Sequence, residues 1–223
     1  MKLDKGNLRE IFLDGSARIE CPPELIPAPG QYLLAHASAS DSPVADSVFF
    51  SISTSNGFVA AAPIPHVWAP GTSLNLRGPL GHGFTIPIAA RKIALLAFDD
   101  SPSRLQGLIP LALKQGAEVV LLSDSPVNNL PEVVEVQPLQ ATQEILHWAD
   151  FAAIDAAREN LNQLREMMGQ GNQARARCEA QVLVRTQMPC GALAECGVCA
   201  VSVHHQWKMT CKDGPVFDWK ELI

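Results

Sequence analysis

The chain has 223 residues, 47% hydrophobic and 18% charged, with 23 acidic against 17 basic side chains and a formal net charge of -6. That length accommodates one large domain or two small ones with real hydrophobic cores. An acidic surface lacks the positive footprint that a phosphate backbone requires, so nucleic acid is excluded as the expected partner.

The charged opening Met1-Lys2-Leu3-Asp4-Lys5 leads into no apolar stretch of the kind a secretory signal needs. The cleanest apolar run, Ile93 to Phe98, is far too short to span a bilayer. A cytoplasmic protein without membrane insertion is expected. The first third reads as all-β: Arg18–Glu20, Tyr32–Leu34, Val48–Ile52 and Ser73–Leu76 are short strand-like runs. Pro29-Gly30, Asn56-Gly57, Pro70-Gly71 and the string Gly78-Pro79-Leu80-Gly81-His82-Gly83 punctuate them. Such spacing predicts a small antiparallel barrel or sandwich.

From Lys92 the rhythm changes. Ile93–Phe98 reads as a buried strand. A helix is predicted from Ser101-Pro102-Ser103 onward, with Leu105, Leu108, Ile109, Leu111 and Ala112 on its apolar face and Gly116 ending it. Strands at Glu118–Ser123, Val133–Val136 and Phe151–Ile154 alternate with helices at Ala141–Trp148 and Glu159–Met168. A loop is expected at Gly169–Gln173 and a last strand at Ala180–Val184. Alternating strands and helices imply a parallel α/β sheet. The expected fold class is thus α/β plus all-β. It runs from an N-terminal antiparallel β-barrel (1–90) through a central Rossmann-like parallel α/β domain (91–176) to a small cysteine-bearing domain (177–223).

Six cysteines in a cytoplasmic chain point to ligands before disulfides. Cys21 and Cys178 stand apart and read as small apolar residues. Cys190, Cys196, Cys199 and Cys211 are spaced to wrap one centre. A hairpin with arms Ala200–Val203 and Trp207–Thr210 would return Cys211 to Cys199, leaving His204 and His205 solvated at its tip. Small residues (Gly191, Ala192, Ala194, Gly197, Ala200) let backbone N–H groups approach sulfides closely. An iron–sulfur cluster is the expected occupant. A structural zinc site also takes four cysteines with a Cys-x-x-Cys knuckle, and four unmetallated thiols are the third reading. Glu195 would place a negative charge beside Cys196. Trp207, Met209, Val216, Phe217 and Trp219 crowd the C-terminal stretch, and Trp219 is the expected interface anchor.

Met188-Pro189-Cys190-Gly191, Cys196-Gly197-Val198-Cys199 and Cys211-Lys212-Asp213-Gly214-Pro215-Val216-Phe217 resemble the electron-transfer subunit of bacterial two-subunit dihydroorotate dehydrogenases, within the ferredoxin-reductase-like family. Pro29-Gly30-Gln31-Tyr32 and Gly78–Phe84 resemble its barrel motifs. The resemblance spans nearly the whole chain, with one residue inserted between the first two cysteines. It implies a flavin-reductase-like barrel, a nucleotide-binding-like domain and a 2Fe–2S cluster held by Cys190, Cys196, Cys199 and Cys211. It also implies FAD in the barrel crevice and a flavin-containing, dihydroorotate dehydrogenase-like catalytic partner in pyrimidine biosynthesis.

Two motifs of that family are degraded. Val48-Phe49-Phe50-Ser51 stands where an Arg-Pro-x-Ser string leads the FAD-binding strand, so the pyrophosphate cation is gone. Asp99-Asp100-Ser101-Pro102 replaces the glycine-rich turn that would admit a nicotinamide pyrophosphate, and Asp155-Ala156-Ala157 replaces a Cys-Gly-Pro turn. FAD therefore follows from the family against weakened motifs, and NAD is not expected. Asp99 and Asp100 read as the acidic turn before a helix, and no catalytic residue is assigned. The expected function is that of an oxidoreductase component rather than a self-sufficient enzyme, relaying electrons to or from a flavin-containing partner. The alternative is a non-catalytic assembly subunit with a structural four-cysteine site.

Overall fold

The computed structural model describes residues 2–99, 101–127, 130–169, 178–203 and 206–222. Six strands open the chain: β1 (Lys2–Ile11), β2 (Ala17–Glu20), β3 (Tyr32–Ala37), β4 (Asp46–Thr54), β5 (Gly57–Ala60) and β6 (Ser73–Leu80). They close into an antiparallel barrel of order β1-β2-β5-β4-β3-β6, with β6 returning to pair with β1. Closure removes the exposed strand edges that an open sheet would leave. Leu8, Ile19, Leu33, Phe58, Leu74 and Leu76 fill its interior and are wholly buried.

The second sheet holds β7 (Lys92–Ala97), β8 (Glu118–Leu122), β9 (Val134–Gln137), β10 (Phe151–Ala157), β11 (Glu179–Arg185) and β14 (Val216–Asp218), in the order β14-β11-β10-β7-β8-β9. All neighbours are parallel except β14, which runs antiparallel to β11. Helices cover both faces, as a parallel sheet requires. Ile93 and Leu95 of β7 face α1 (Ile109–Lys114), while Ala94 and Leu96 face α2 (Thr142–Trp148) and α3 (Leu161–Gly169). The parallel strands run outward from β7 in both directions, so the strand order reverses between β7 and β10. Dinucleotides bind beyond the carboxyl ends of strands at such a reversal.

The helix expected from residue 101 is broken. Two 3-10 turns, Pro102–Arg104 and Gln106–Leu108, precede α1, which starts only at Ile109. Pro110 has no N–H and its ring would clash with the carbonyl four residues earlier, so an unbroken helix cannot run through it. Leu111, expected on the apolar face, is 48% exposed. Between β11 and β14 the chain leaves the sheet to form β12 (Ala200–Val203), β13 (Gln206–Met209) and α4 (Thr210–Asp213), and α5 (Trp219–Leu222) follows β14. The loop expected at Gly169–Gln173 lies, after Gly169, outside the described residues, as do His204 and His205. No helix among the described residues is long and apolar enough to cross a membrane.

Candidate metal centre

The excursion between β11 and β14 brings the four cysteines together. Cys190 Sγ lies 3.6 Å from Cys196 Sγ, and Cys199 Sγ lies 3.3 Å from Cys211 Sγ. Cys199 and Cys211 are buried; Cys190 is half-buried and Cys196 exposed. The expected hairpin is present, with Ala200 opposite Met209 and Val203 opposite Gln206, and it returns Cys211 to Cys199. The Cys211 amide N lies 3.5 Å from Cys199 Sγ.

The seat of Cys211 is built from motifs that lie far apart in sequence. His82 N donates to Gly214 O at 2.6 Å, Gln31 Nε2 donates to Gly81 O at 3.1 Å, and Tyr32 Oη donates to Cys211 O at 3.3 Å. The Pro29–Tyr32 and Gly78–Gly83 strings thus meet the C-terminal heptapeptide. Tyr32, Leu34, Phe49, Leu80, Leu183 and Met188 form one apolar cluster with Cys199, Cys211 and Val216.

The Cys190 loop has a strut that sequence reading missed. Arg77, buried on β6, donates from Nη2 to Cys190 O at 2.9 Å and to Gly191 O at 2.7 Å. A Cβ on Gly191 would come within 2.1 Å of that nitrogen, and Gly191 has φ +48°. Ala192 also sits in the left-handed region, at φ 67°. Such backbone is held only where its surroundings over-determine it.

The thiols differ in their readiness to ionise. Burial opposes ionisation at Cys190, but hydrogen bonds from the backbone at Ala194 and Ala192 and from the Cys196 and Cys211 side chains outweigh it, bringing the thiol down to about 7. Burial and the neighbouring Cys199 push Cys211 up to about 12. Cys21 and Cys178, half-buried at the edges of the two cores, are pushed up by burial to about 11 and about 12, consistent with inert apolar roles.

Thiolate pairs backed by small residues, with the wholly buried Thr210 hydroxyl lacking a protein partner, fit a polynuclear iron–sulfur group. Glu195 is exposed beside Cys196. The aromatic expectation is corrected: Trp219, Phe217 and Val216 are buried, because α5 and β14 pack into the core shared with β11 and α3. Trp207, 72% exposed, lines a shallow surface pocket with Gly197 and Ala200, and Val198 and Leu193 of the cysteine loop are 41% and 68% exposed.

The crevice at the strand reversal has a different content. Asp155 at the end of β10 accepts from Arg104 Nη1 at 3.2 Å and from Arg185 Nε at 2.8 Å. Arg185 Nη2 also pairs with Asp99 at 2.9 Å. Asp99 accepts from Asn160 Nδ2 and from the Ala157 amide, so it is not the helix-preceding acidic turn expected of it. Ser101 takes that place, accepting from Ser103 N. Asp100 lies outside the described residues.

Residues 186–223 match the family model for the iron–sulfur cluster binding domain of dihydroorotate dehydrogenase B. The sulfhydrogenase 1 subunit gamma of Pyrococcus furiosus is 23% identical over 72% of this chain and 66% of its own length. In overall shape the chain is similar to a chain of the NADH-dependent reduced ferredoxin-NADP oxidoreductase, with TM-score 0.77 and 15% identity over 97% of this chain and 88% of that one. It is also similar to the ferredoxin NADP+ reductase of Neisseria gonorrhoeae, solved with FAD and NADP, with TM-score 0.57 and 10% identity over 82% and 99% of the two chains. At these identities the structural likeness establishes the ferredoxin-reductase-like fold and no more. With the iron–sulfur domain match, it supports a divergent electron-transfer subunit.

Proposed function

We propose that this chain, a divergent relative of the iron–sulfur subunits of dihydroorotate dehydrogenase B, holds a 2Fe–2S cluster on Cys190, Cys196, Cys199 and Cys211 and serves as the electron-transfer subunit of a two-component oxidoreductase. The observation that carries the reading is the gathering of all four sulfurs, Cys190 with Cys196, Cys199 with Cys211, and Cys190 within reach of the Cys211 side chain. A dinuclear cluster takes two thiolates per iron, and the match of residues 186–223 to an iron–sulfur domain favours it over a structural zinc.

A bound cluster of this kind supplies reversible one-electron redox chemistry. The chain's own residues would hold it asymmetrically. Cys199 and Cys211 lie on the buried side against Tyr32 and Met188, and Cys190 and Cys196 would close the site toward solvent. Arg77 fixes the Cys190 carbonyl, and so the height of that loop over the barrel.

The proposed partner is a flavin-containing, dihydroorotate dehydrogenase-like catalytic subunit acting in pyrimidine biosynthesis in the cytoplasm. It would dock over the cysteine loop and hairpin, where Leu193, Val198 and Trp207 are exposed. The three-part organisation at 1–90, 91–176 and 177–223 belongs to the same proposal, with the last part lending β11 and β14 to the central sheet.

Anaerobic preparation is expected to give a red-brown protein with about two iron and two acid-labile sulfide per chain. Stoichiometric zinc in a colourless protein would overturn the assignment. Trp207→Ala is expected to weaken co-purification with the catalytic subunit about tenfold or more while leaving the melting temperature of the isolated chain unchanged. No association of the wild type removes the dihydroorotate partner and leaves the cluster. The degraded nucleotide motifs favour one second reading, a structural site in an assembly subunit, which an absence of reversible one-electron reduction would establish.

A further inference from the structure

The family's second cofactor has a definite place to go. By resemblance β4 is the FAD-binding strand, and the crevice between β7 and β10 is where a doubly wound sheet takes a dinucleotide. Both places hold parts of the chain itself.

The 3-10 turns at 102–108 lie on β4. A Cβ on Gly107 would come within 2.5 Å of both Phe50 Cε1 and Ser51 O, which measures how closely the turn is pressed to the strand. Ser51 is 2% exposed, with its Oγ 3.4 Å from Gln106 Oε1. Arg104, 4% exposed, stands over the Phe49 ring at 6.0 Å. It donates to the Ala62 carbonyl beyond β5 as well as to Asp155. One guanidinium therefore ties the barrel to the end of β10, and Asp155, Arg185 and Asp99 continue the chain of charges across β11 and β7.

What remains open is a cleft of about 860 Å³ beside this network, lined among others by Ser51, Ile52, Gln106, Ile109, Val127 and Leu130. No Lys, Arg or His is among its described lining residues. Its one carboxylate, Asp14, is bonded to Ser16. A pyrophosphate needs positive charge about it, and this cleft presents none among its described lining residues. The residues present do not fit FAD or a nicotinamide dinucleotide.

We infer that the chain has replaced the dinucleotides of its fold with an internal strut, Arg104–Asp155–Arg185–Asp99, and carries the proposed cluster as its sole redox centre. The inference rests on the proposed function for the cluster alone. The strut joins barrel to sheet, from the Ala62 carbonyl to Asp155 at the end of β10. It also means that donor and acceptor must both reach the cysteine loop, since no second centre extends the path.

Anaerobically prepared wild-type protein is to be assayed in one sample for iron, sulfide and acid-released flavin, then titrated calorimetrically with FAD and with NADH. The expected result is a full cluster, no flavin and no saturable heat with either nucleotide. One flavin per chain, or saturable binding of either nucleotide, overturns the inference and leaves the cluster assignment standing. Absence of both iron and flavin overturns the proposed function and leaves the strut. The strut has its own readout in a double-mutant cycle of Arg104→Met and Asp155→Asn followed by urea. The expected coupling is about tenfold in the unfolding constant, and additive effects would overturn it. Should either variant not fold, Arg104→Lys against wild type replaces the cycle, with a lowered urea midpoint expected and an unchanged one overturning the strut.

Discussion

The cysteine loop and the crevice between β7 and β10 are both places where this fold can hold a cofactor, and they treat their polar groups in opposite ways. In the crevice the charges answer one another. Asp155 has two arginines, and Asp99 has an arginine, an amide and a backbone N–H. Among the described residues, Arg104 Nε, Ser103 Oγ and, just past β11, Thr186 Oγ1 are left without a partner. Around the cysteines, thiols face thiols across 3.3 and 3.6 Å, one of the four is exposed, and the Thr210 hydroxyl has no protein partner. The crevice pairs its charges with one another, whereas the cysteine loop gathers four sulfurs whose main neighbours are each other. The fit of a cofactor is thus better judged from the state of the polar groups than from the survival of a fold.

The largest effect that would break this contrast belongs to the loop. Cys199→Ser is expected to abolish iron and sulfide content and to speed proteolysis within residues 186–215 by about tenfold or more, because cluster binding also supplies local folding energy. The far-UV circular dichroism of the sheet should persist. A variant that keeps full iron would show the ligand set to be wrong.

Next comes the crevice. Gly107→Ala places a Cβ 2.5 Å from Phe50 Cε1 and from the Ser51 carbonyl, where the strand backbone cannot yield, so a loss of about 2 kcal/mol in urea unfolding is expected. A neutral result would mean that the turn is not pressed on β4.

A smaller loss, about 1 kcal/mol, is expected for Gly191→Ala, which must hold φ +48° beside Arg77. Its sharper readout is faster loss of iron to a chelator, since the Arg77 bonds to Cys190 and Gly191 would be displaced.

The smallest effect lies away from both sites. Asp150 Oδ2 accepts from Arg91 N at 2.9 Å and from Lys92 N at 3.0 Å, and the Arg91 bond first, with the Lys92 bond, holds its carboxyl below the ordinary range. A depressed folded-state value contributes stability above the unfolded value, near pH 4, that is lost as pH falls through the folded value. Asp150→Asn should therefore cost less than about 1 kcal/mol at pH 7, given the group's exposure, and progressively less as pH falls below the unfolded value. A difference that grows on acidification would reverse the assignment.

Much of the architecture was legible because it rests on local pattern. The runs at 93–98, 119–122 and 151–154 are apolar throughout, as strands buried on both faces must be, and β7, β8 and β10 fall there. The cysteine spacing carried its own chemistry. β1 was not legible: its outward Lys2, Asp4 and Lys5 mask the pattern, only Gly6 and Leu8 are buried, and it is held by pairing with β2 and β6. Arg77 could not be found either, because the carbonyl it holds at Cys190 lies 113 positions away. Trp219 and Trp207 were indistinguishable as letters, and only the turn from β14 into α5 sends the first inward and leaves the second at the surface.

The antiparallel pairing of β14 with β11 has one more consequence. Val182 faces Phe217 and Leu183 faces Val216, so the cysteine-bearing excursion leaves and re-enters the sheet at adjacent strands. Its ends are fixed by the sheet whatever the state of the sulfurs, and the entropy of closing so long a loop is met by strand pairing rather than by metal. The excursion thus works as a socket on a standing frame. Oxidants that strip the centre would empty the socket without dismantling its mount, and the same polypeptide could be recharged instead of being degraded and made again.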